Sequence, residues 1–287
     1  MSTASDTLDT NCFNVTENEK KFVRRLWDSC NERNLTSVAL RDENTHNFLT
    51  FDNLAMINSN PKPPVLKRLK RIYQNYQIGW LSEIVVDYYL SQLCKLANKD
   101  TKQNKFGVMQ CTQTAMIINK QTTPNIFLSV SKSCYFNGKF CEVMFFPLLE
   151  NRHFTLYVID NIKENFMCYD SLSRNRDTRQ KMANHGQAFL DFFRNGRVNR
   201  HWGEMPCVLD AKQTVSVKQA SCCQQGDSSS CGIFCCLFGE EICLAKKRIR
   251  PIDNSDTLRI YITLQMIKRS RIIDPVLQKL VLAFNSH

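Results

Sequence analysis

Helices at the start, two β-hairpins in the middle and helices again at the end predict an α+β domain built round a small mixed or antiparallel sheet. Three stretches carry this reading. Within WLSEIVVDYYLSQLCKLAN, apolar residues fall at 81, 84, 85, 88, 89, 93 and 96, the helical period. Asn137-Gly138 separates the apolar runs SCYF and KFCEVMFFPLL, as a two-residue hairpin turn does. CGIFCCLFGEEICLAKKR, 231–248, is apolar with acids midway and a basic end, which suits a buried helix.

The remaining elements follow in order. Residues 1 to about 14 are polar and expected to be disordered, and 15–33 read as a charged amphipathic helix. PKPP at 61–64 marks a loop before a basic helix that starts at Val65. A second hairpin joins HFTLYVID (153–160) to NFMCYDSL (165–172) through the polar turn NIKE. A helix over 178–195 carries FLDFF on its apolar face, and TLRIYITLQMIKRSRII closes the domain as a further helix. The expected organisation is a loosely attached, partly disordered extension over 1–50, a main domain over 51–272 and a tail over 273–287.

Composition narrows the function classes. Of 287 residues, 43% are hydrophobic and 23% charged, ordinary for a globular protein with a large core. No apolar run approaches the ~20 residues of a membrane helix, so no membrane partner is expected. The N-terminus is polar and acidic, unlike a signal peptide, and a nuclear or cytoplasmic address follows. The fourteen cysteines therefore read as free thiols, mostly core filler. Without a Cys-x-x-Cys pair they give no zinc site, and no metal or cofactor is expected. A net charge of +11 favours acidic partners. KRLKR (67–71), KKRIR (246–250) and KRSR (268–271) suit nucleic acid or an acidic protein, but runs this short are more often a solvated basic face, so a nucleic-acid partner stays unsupported. A monomer is expected.

Chemistry concentrates in two places. If the second hairpin turns about 161–162, residues whose numbers sum to 323 face each other, which sets His153 opposite Asp170 with Cβ atoms roughly 4.5–5.5 Å apart. A carboxylate so placed holds an imidazole by one nitrogen and stabilises its protonated form. Asp160, at the turn, points to the opposite face. Further on, GDSSS runs into the helix that begins at Cys231, with Ser229 or Ser230 as its cap. A thiol at a helix N-terminus meets the positive end of the macrodipole, which favours the nucleophilic thiolate. Cys235 and Cys236 lie a turn deeper, and Cys222 and Cys223 precede the loop. An oxyanion requires donors, for which the Cys231 N–H and the side-chain amide of Gln224 or Gln225 are candidates.

The order His153, Asp170, Gln225, Cys231 resembles the cysteine proteases that process and remove SUMO and related ubiquitin-like modifiers. That family shows His-Trp, then Asp-Ser-Leu after a short hairpin, then Gln-x5-Cys-Gly. This chain has HFTLYVID, YDSL and QGDSSSCGIF, and the Gln-to-Cys spacing selects Gln225 over Gln224. WLSEIVVDYYL at 80–90, VMFFPLL at 143–149 and TLR at 257–259 match further family segments, so the resemblance runs from about residue 50 to 270. It implies a papain-like-related fold with the catalytic cysteine at a helix N-terminus, and hydrolysis after a C-terminal Gly-Gly in precursors or conjugates. Cys231 would attack, His153 serve as base and acid, Asp170 orient His153, and Gln225 with the Cys231 amide hold the oxyanion. Trp80 and Phe154 would wall the tunnel that receives the glycines, and SUMO or another ubiquitin-like protein would be the partner. The chain departs from the pattern with Phe154 for Trp, Ser230 for Asp and Glu83 for Asp. Two alternatives stand beside this: an adenovirus-type or mobile-element protease that cleaves a polyprotein, and an inactive modifier-binding domain.

Overall fold

The computed structural model describes residues 13, 15–42, 47–73, 76–99, 105–136, 139–172, 177–210, 215–244 and 255–286. In chain order the elements are α1 (Glu17–Ser29), β1 (Val38–Arg41), β2 (Phe48–Thr50), α2 (Phe51–Ile57), α3 (Pro63–Ile72) and α4 (Glu83–Asn98). There follow β3 (Phe106–Val108), α5 (Cys111–Ile118), α6 (Pro124–Cys134), β4 (Tyr135–Phe136), β5 (Lys139–Phe140), β6 (Val143–Glu150), β7 (His153–Asp160) and β8 (Asn165–Tyr169). The chain closes with α7 (Asp177–Val198), β9 (Lys218–Gln219), α8 (Cys231–Leu244), α9 (Ser255–Lys268), β10 (Arg271–Ile272) and α10 (Pro275–Asn285). The α+β class is as the sequence predicts.

A five-stranded sheet in the order β3-β6-β7-β8-β9 divides the interior. β6, β7 and β8 pair antiparallel, while β3 and β9 join the two edges in parallel. Both faces are covered, which is why β6 and β7 read as continuous apolar runs instead of alternating. Phe145, Phe154, Leu156 and Val158 pack with α4 and α8 on one side. Met144, Phe146, Tyr157 and Ile159 pack with Phe189, Phe193 and Trp202 on the other. Each such side chain contributes about 1.5–3 kcal/mol on burial. The first predicted hairpin survives only as two-residue strands, Tyr135 pairing with Phe140, because the long run that follows belongs to the main sheet. Its Asn137-Gly138 turn, the KKRIR run at 246–250 and nearly all of the stretch expected to be disordered lie outside the described residues.

Two expectations are corrected here. Of the segment read as loosely attached, the described residues contribute to the core. Thr16 and Glu19 close a capping box at the start of α1, whose Phe22, Val23, Leu26 and Trp27 are buried, and Phe22 stacks on Phe284 of α10 with ring centroids 4.6 Å apart. β1 lies between β2 and β10, so Arg271–Ile272, near the end of the expected closing helix, form a strand. Arg68, from the KRLKR run, donates to the carbonyls of Cys30, Asn31 and Arg33. That cation serves the fold. The second correction concerns the β7–β8 register, which pairs Asp160 with Asn165 and Leu156 with Tyr169, so partner numbers sum to 325 and not 323. The turn takes all of 161–164, and Asp160 binds the Ile162 and Lys163 amides within it.

Candidate active site

Three chain segments meet at one end of the sheet. His153 opens β7 immediately after the tight turn Asn151-Arg152, whose φ values of +49° and +64° are those of a type I′ hairpin. Asp170 follows the last residue of β8 and is buried. Its Oδ1 lies 2.7 Å from His153 Nε2 and also accepts the Leu172 N–H at 3.1 Å. The register shift does not separate the pair. Strand side chains alternate with period two, so an offset of two residues keeps Asp170 on the His153 face as a diagonal neighbour.

Cys231 is the first residue of α8 and is buried. The Cys231 thiol lies near enough to the His153 ring to raise its pKa, and with Nε2 committed to Asp170, Nδ1 is the ring nitrogen left for it. Burial pulls the imidazole down. Its hydrogen bonds with Asp170 and Cys231, and their charges, outweigh burial and raise it from 6.5 to about 9. The ring is therefore imidazolium at neutral pH. Cys235 and Cys236 sit inside the core, where burial drives both thiols well above their ordinary value. Only Cys231 of the five clustered cysteines meets the imidazole.

Gln225 arrives along the sheet edge. Beyond β9 the chain remains laced to the end of β8: Ala220 N–H bonds the Cys168 carbonyl at 2.9 Å, and Gln225 N–H the Ser171 carbonyl at 2.7 Å. Gln224 points its amide at the Asp170 carbonyl, 3.1 Å away, and is largely exposed. The half-buried Gln225 amide accepts from Ser171 Oγ at 2.6 Å and donates to the Asp227 carbonyl at 2.6 Å. Cys222, just before the loop, donates from Sγ to the Asp170 carbonyl at 3.3 Å.

Two of the three serines have a clear use. Asp227 Oδ1 accepts the Ser229 and Ser230 amides, each at 2.8 Å, and its Oδ2 accepts the Ser230 hydroxyl at 2.7 Å. Arg259, with no exposed surface, donates from Nη2 to both serine hydroxyls, at 3.3 and 3.0 Å, and from Nη1 to the Ile57 carbonyl at 3.0 Å. Burial would raise the Asp227 carboxyl, but these donors and the nearby guanidinium hold it below the usual range. Ser230 thus links the Asp227 carboxylate to the Arg259 guanidinium. Gly79 fits against this cluster: its φ is +80°, and a Cβ there would stand 3.0 Å from Ser229 Oγ.

A cavity of about 210 Å³ lies over the thiol, lined by Trp80, Leu81, Leu149, Arg152, Phe154 and Cys231. Trp80 is half-buried and Phe154 buried, so both predicted wall residues border the nucleophile. A larger hollow of about 750 Å³ among α4, β3 and the end of α9 contains none of the triad. Among the described residues no group of three His, Cys, Asp or Glu side chains could hold a metal ion, and no helix is long and apolar enough to cross a membrane. Sequence reasoning missed Ser171, Asp227 and Arg259 as site-building residues, although all three stand in the quoted motifs DSL, GDSSS and TLR.

Residues 137–271 match the protease family described as Ulp1 protease family, C-terminal catalytic domain. The fold is similar to the solved C-terminal Ulp1 protease domain in complex with Smt3, the yeast ortholog of SUMO, at 14% identity and a TM-score of 0.58, over 89% of this chain and 96% of that one. It is also similar to the Ulp1-like SUMO protease catalytic domain of Chaetomium thermophilum, at 10% identity and a TM-score of 0.55, over 88% of this chain and 90% of that one. At these identities the likeness is one of fold. No curated protein sequence matches the chain.

Proposed function

We propose that this chain, which carries a catalytic domain of the Ulp1 protease family over residues 137–271, hydrolyses the bond after the C-terminal Gly-Gly of SUMO or a related ubiquitin-like modifier. The bond is a peptide in precursors and an isopeptide in conjugates. The observation that carries this reading is the line Asp170–His153–Cys231, in which a 2.7 Å bond holds the ring and the ring meets the thiol.

The chemistry follows in two halves. Cys231 attacks the terminal glycine carbonyl as thiolate, His153 holding the proton it gave up. As the C–S bond forms, charge moves to the carbonyl oxygen, which the Cys231 N–H and the Gln225 amide receive. First-turn N–H groups have no partner within a helix, so the Cys231 amide is free for this role. His153 passes its proton to the departing amine as the C–N bond breaks, leaving a thioester. Water then adds with His153 taking its proton, and collapse releases the glycine carboxylate and restores Cys231. Asp170 orients the ring and stabilises the imidazolium in both halves.

Two observations support the substrate. The small cavity between Trp80, Phe154 and Cys231 suits an extended strand without side chains, and a domain of the same fold has been solved with Smt3 in place. A nuclear or cytoplasmic site of action goes with this reading. The decisive experiment is covalent trapping with a panel of ubiquitin-like proteins that carry a C-terminal electrophile. Labelling of Cys231 by SUMO or one of its relatives is expected; labelling by none would overturn the substrate assignment.

A further inference from the structure

We infer that Ser171 is a positioning residue for this hydrolysis, acting through the side-chain amide of Gln225. The inference rests on the reading of Gln225 as an oxyanion donor and adds to it the group that aims it. A glutamine amide has two ends of nearly equal shape and opposite use. Its N–H end stabilises a developing oxyanion, whereas its carbonyl end repels one. Holding the amide one way round is therefore part of the catalytic arrangement.

Two bonds of different kinds do this. The Asp227 carbonyl, which only accepts, takes one N–H of Gln225 Nε2 at 2.6 Å and so fixes which end is nitrogen. Ser171 Oγ supplies the donor that the other end requires, also at 2.6 Å. One N–H of the amide remains for substrate. Ser171 is 1% exposed, so water cannot readily take over from its hydroxyl. Its backbone carbonyl separately accepts the Gln225 N–H at 2.7 Å, a bond that survives removal of the side chain. The hydroxyl thus holds the carbonyl end of the amide in the direction that the Asp227 carbonyl sets, and the backbone controls its place. Ser171 also directly follows Asp170, so one short segment presents both the acid behind His153 and the support behind Gln225.

The test is steady-state cleavage of a modifier with a Gly-Gly extension by Ser171→Ala, Ser171→Thr, Gln225→Ala and the double variant Ser171→Ala/Gln225→Ala. Ser171→Ala is expected to lower kcat about tenfold or more with KM changed less than about twofold, within the ~10²–10³ that loss of an oxyanion donor costs. Ser171→Thr, which keeps a hydroxyl, should restore most of kcat. The double variant should be no slower than Gln225→Ala, and the alkaline limb of the pH profile should stay where it is in the unaltered chain. If Gln225→Ala is slow but Ser171→Ala is not, or if the two losses multiply, the positioning role is overturned while the oxyanion reading stands. If Gln225→Ala itself leaves kcat unchanged, the oxyanion reading falls and takes this inference with it.

Discussion

His153 Nε2 lies 2.7 Å from Asp170 Oδ1 although the β7–β8 ladder pairs neither residue with the other. One heads its strand and the other follows the end of its own, so the contact crosses the mouth of the hairpin. The Leu172 N–H holds the same oxygen from the far side at 3.1 Å. The carboxylate is pinned twice, and the ring it faces carries the proton that the reaction spends.

This fixes an alkaline limit. His153 must be protonated to expel the amine, and its value is raised to about 9, so kcat/KM is expected to fall through a limb near pH 9. In Asp170→Asn the negative charge that favours the imidazolium is gone while burial, which disfavours it, remains. The limb should then move to lower pH, toward the ordinary 6.5. Complete pH profiles of both proteins check this, and an unmoved limb would show that Asp170 does not govern the ring.

Cys231→Ala should abolish cleavage and electrophile labelling with little change in Tm. Cys235, 2% exposed and a turn deeper in α8, should behave in the opposite way. Cys235→Ala is expected to keep its labelling and lose about 1–2 kcal/mol of stability to the cavity left behind. Mass spectrometry of the trapped adduct and denaturant titration separate the two.

The cavity walls predict shape dependence. Phe154→Trp should retain most activity and Phe154→Ala should not, because a broad ring face is what roofs the slot. In Gly232→Ala the new Cβ would lie 3.0 Å from Leu81 Cβ and 3.2 Å from Phe154 Cδ2, forcing two walls apart. A loss of about tenfold or more in kcat/KM is expected, read with the same Gly-Gly substrate.

Arg259→Met should cost about 3–5 kcal/mol, the range for removing one partner from a buried charged cluster. It leaves the Ile57 carbonyl and both serine hydroxyls without their donor. Asp227→Asn, at a partly exposed site, should cost less. Urea unfolding monitored by fluorescence gives both values, and a neutral Arg259→Met would refute the role of the cluster in holding the nucleophile loop.

Much of the site was legible because its chemistry fixes residue types at short spacings. His153 and Asp170 lie 17 positions apart, and the period of two tolerated a register error of two residues. An error of one would have put them on opposite faces. Arg259 was not legible as a hub, since its partners stand 202, 30 and 29 positions away and no local pattern joins them. The N-terminal segment misled for another reason. Phe22, Val23, Leu26 and Trp27 form a narrow apolar stripe in a helix otherwise dominated by charge, and what that stripe meets is supplied from the far end of the chain.

That last circumstance has a consequence for biosynthesis. Leu40 of β1 pairs with Ile272 of β10, roughly 230 positions later, and α1 rests on both α9 and α10. A nascent chain makes its histidine, acid and nucleophile in that order, yet the first strands lack their neighbour until residues beyond 270 have emerged from the ribosome. Closing so long a loop is slow. The thiol at 231 is therefore synthesised before part of its scaffold, since β1 gains its second neighbour only once Arg271 and Ile272 are in place.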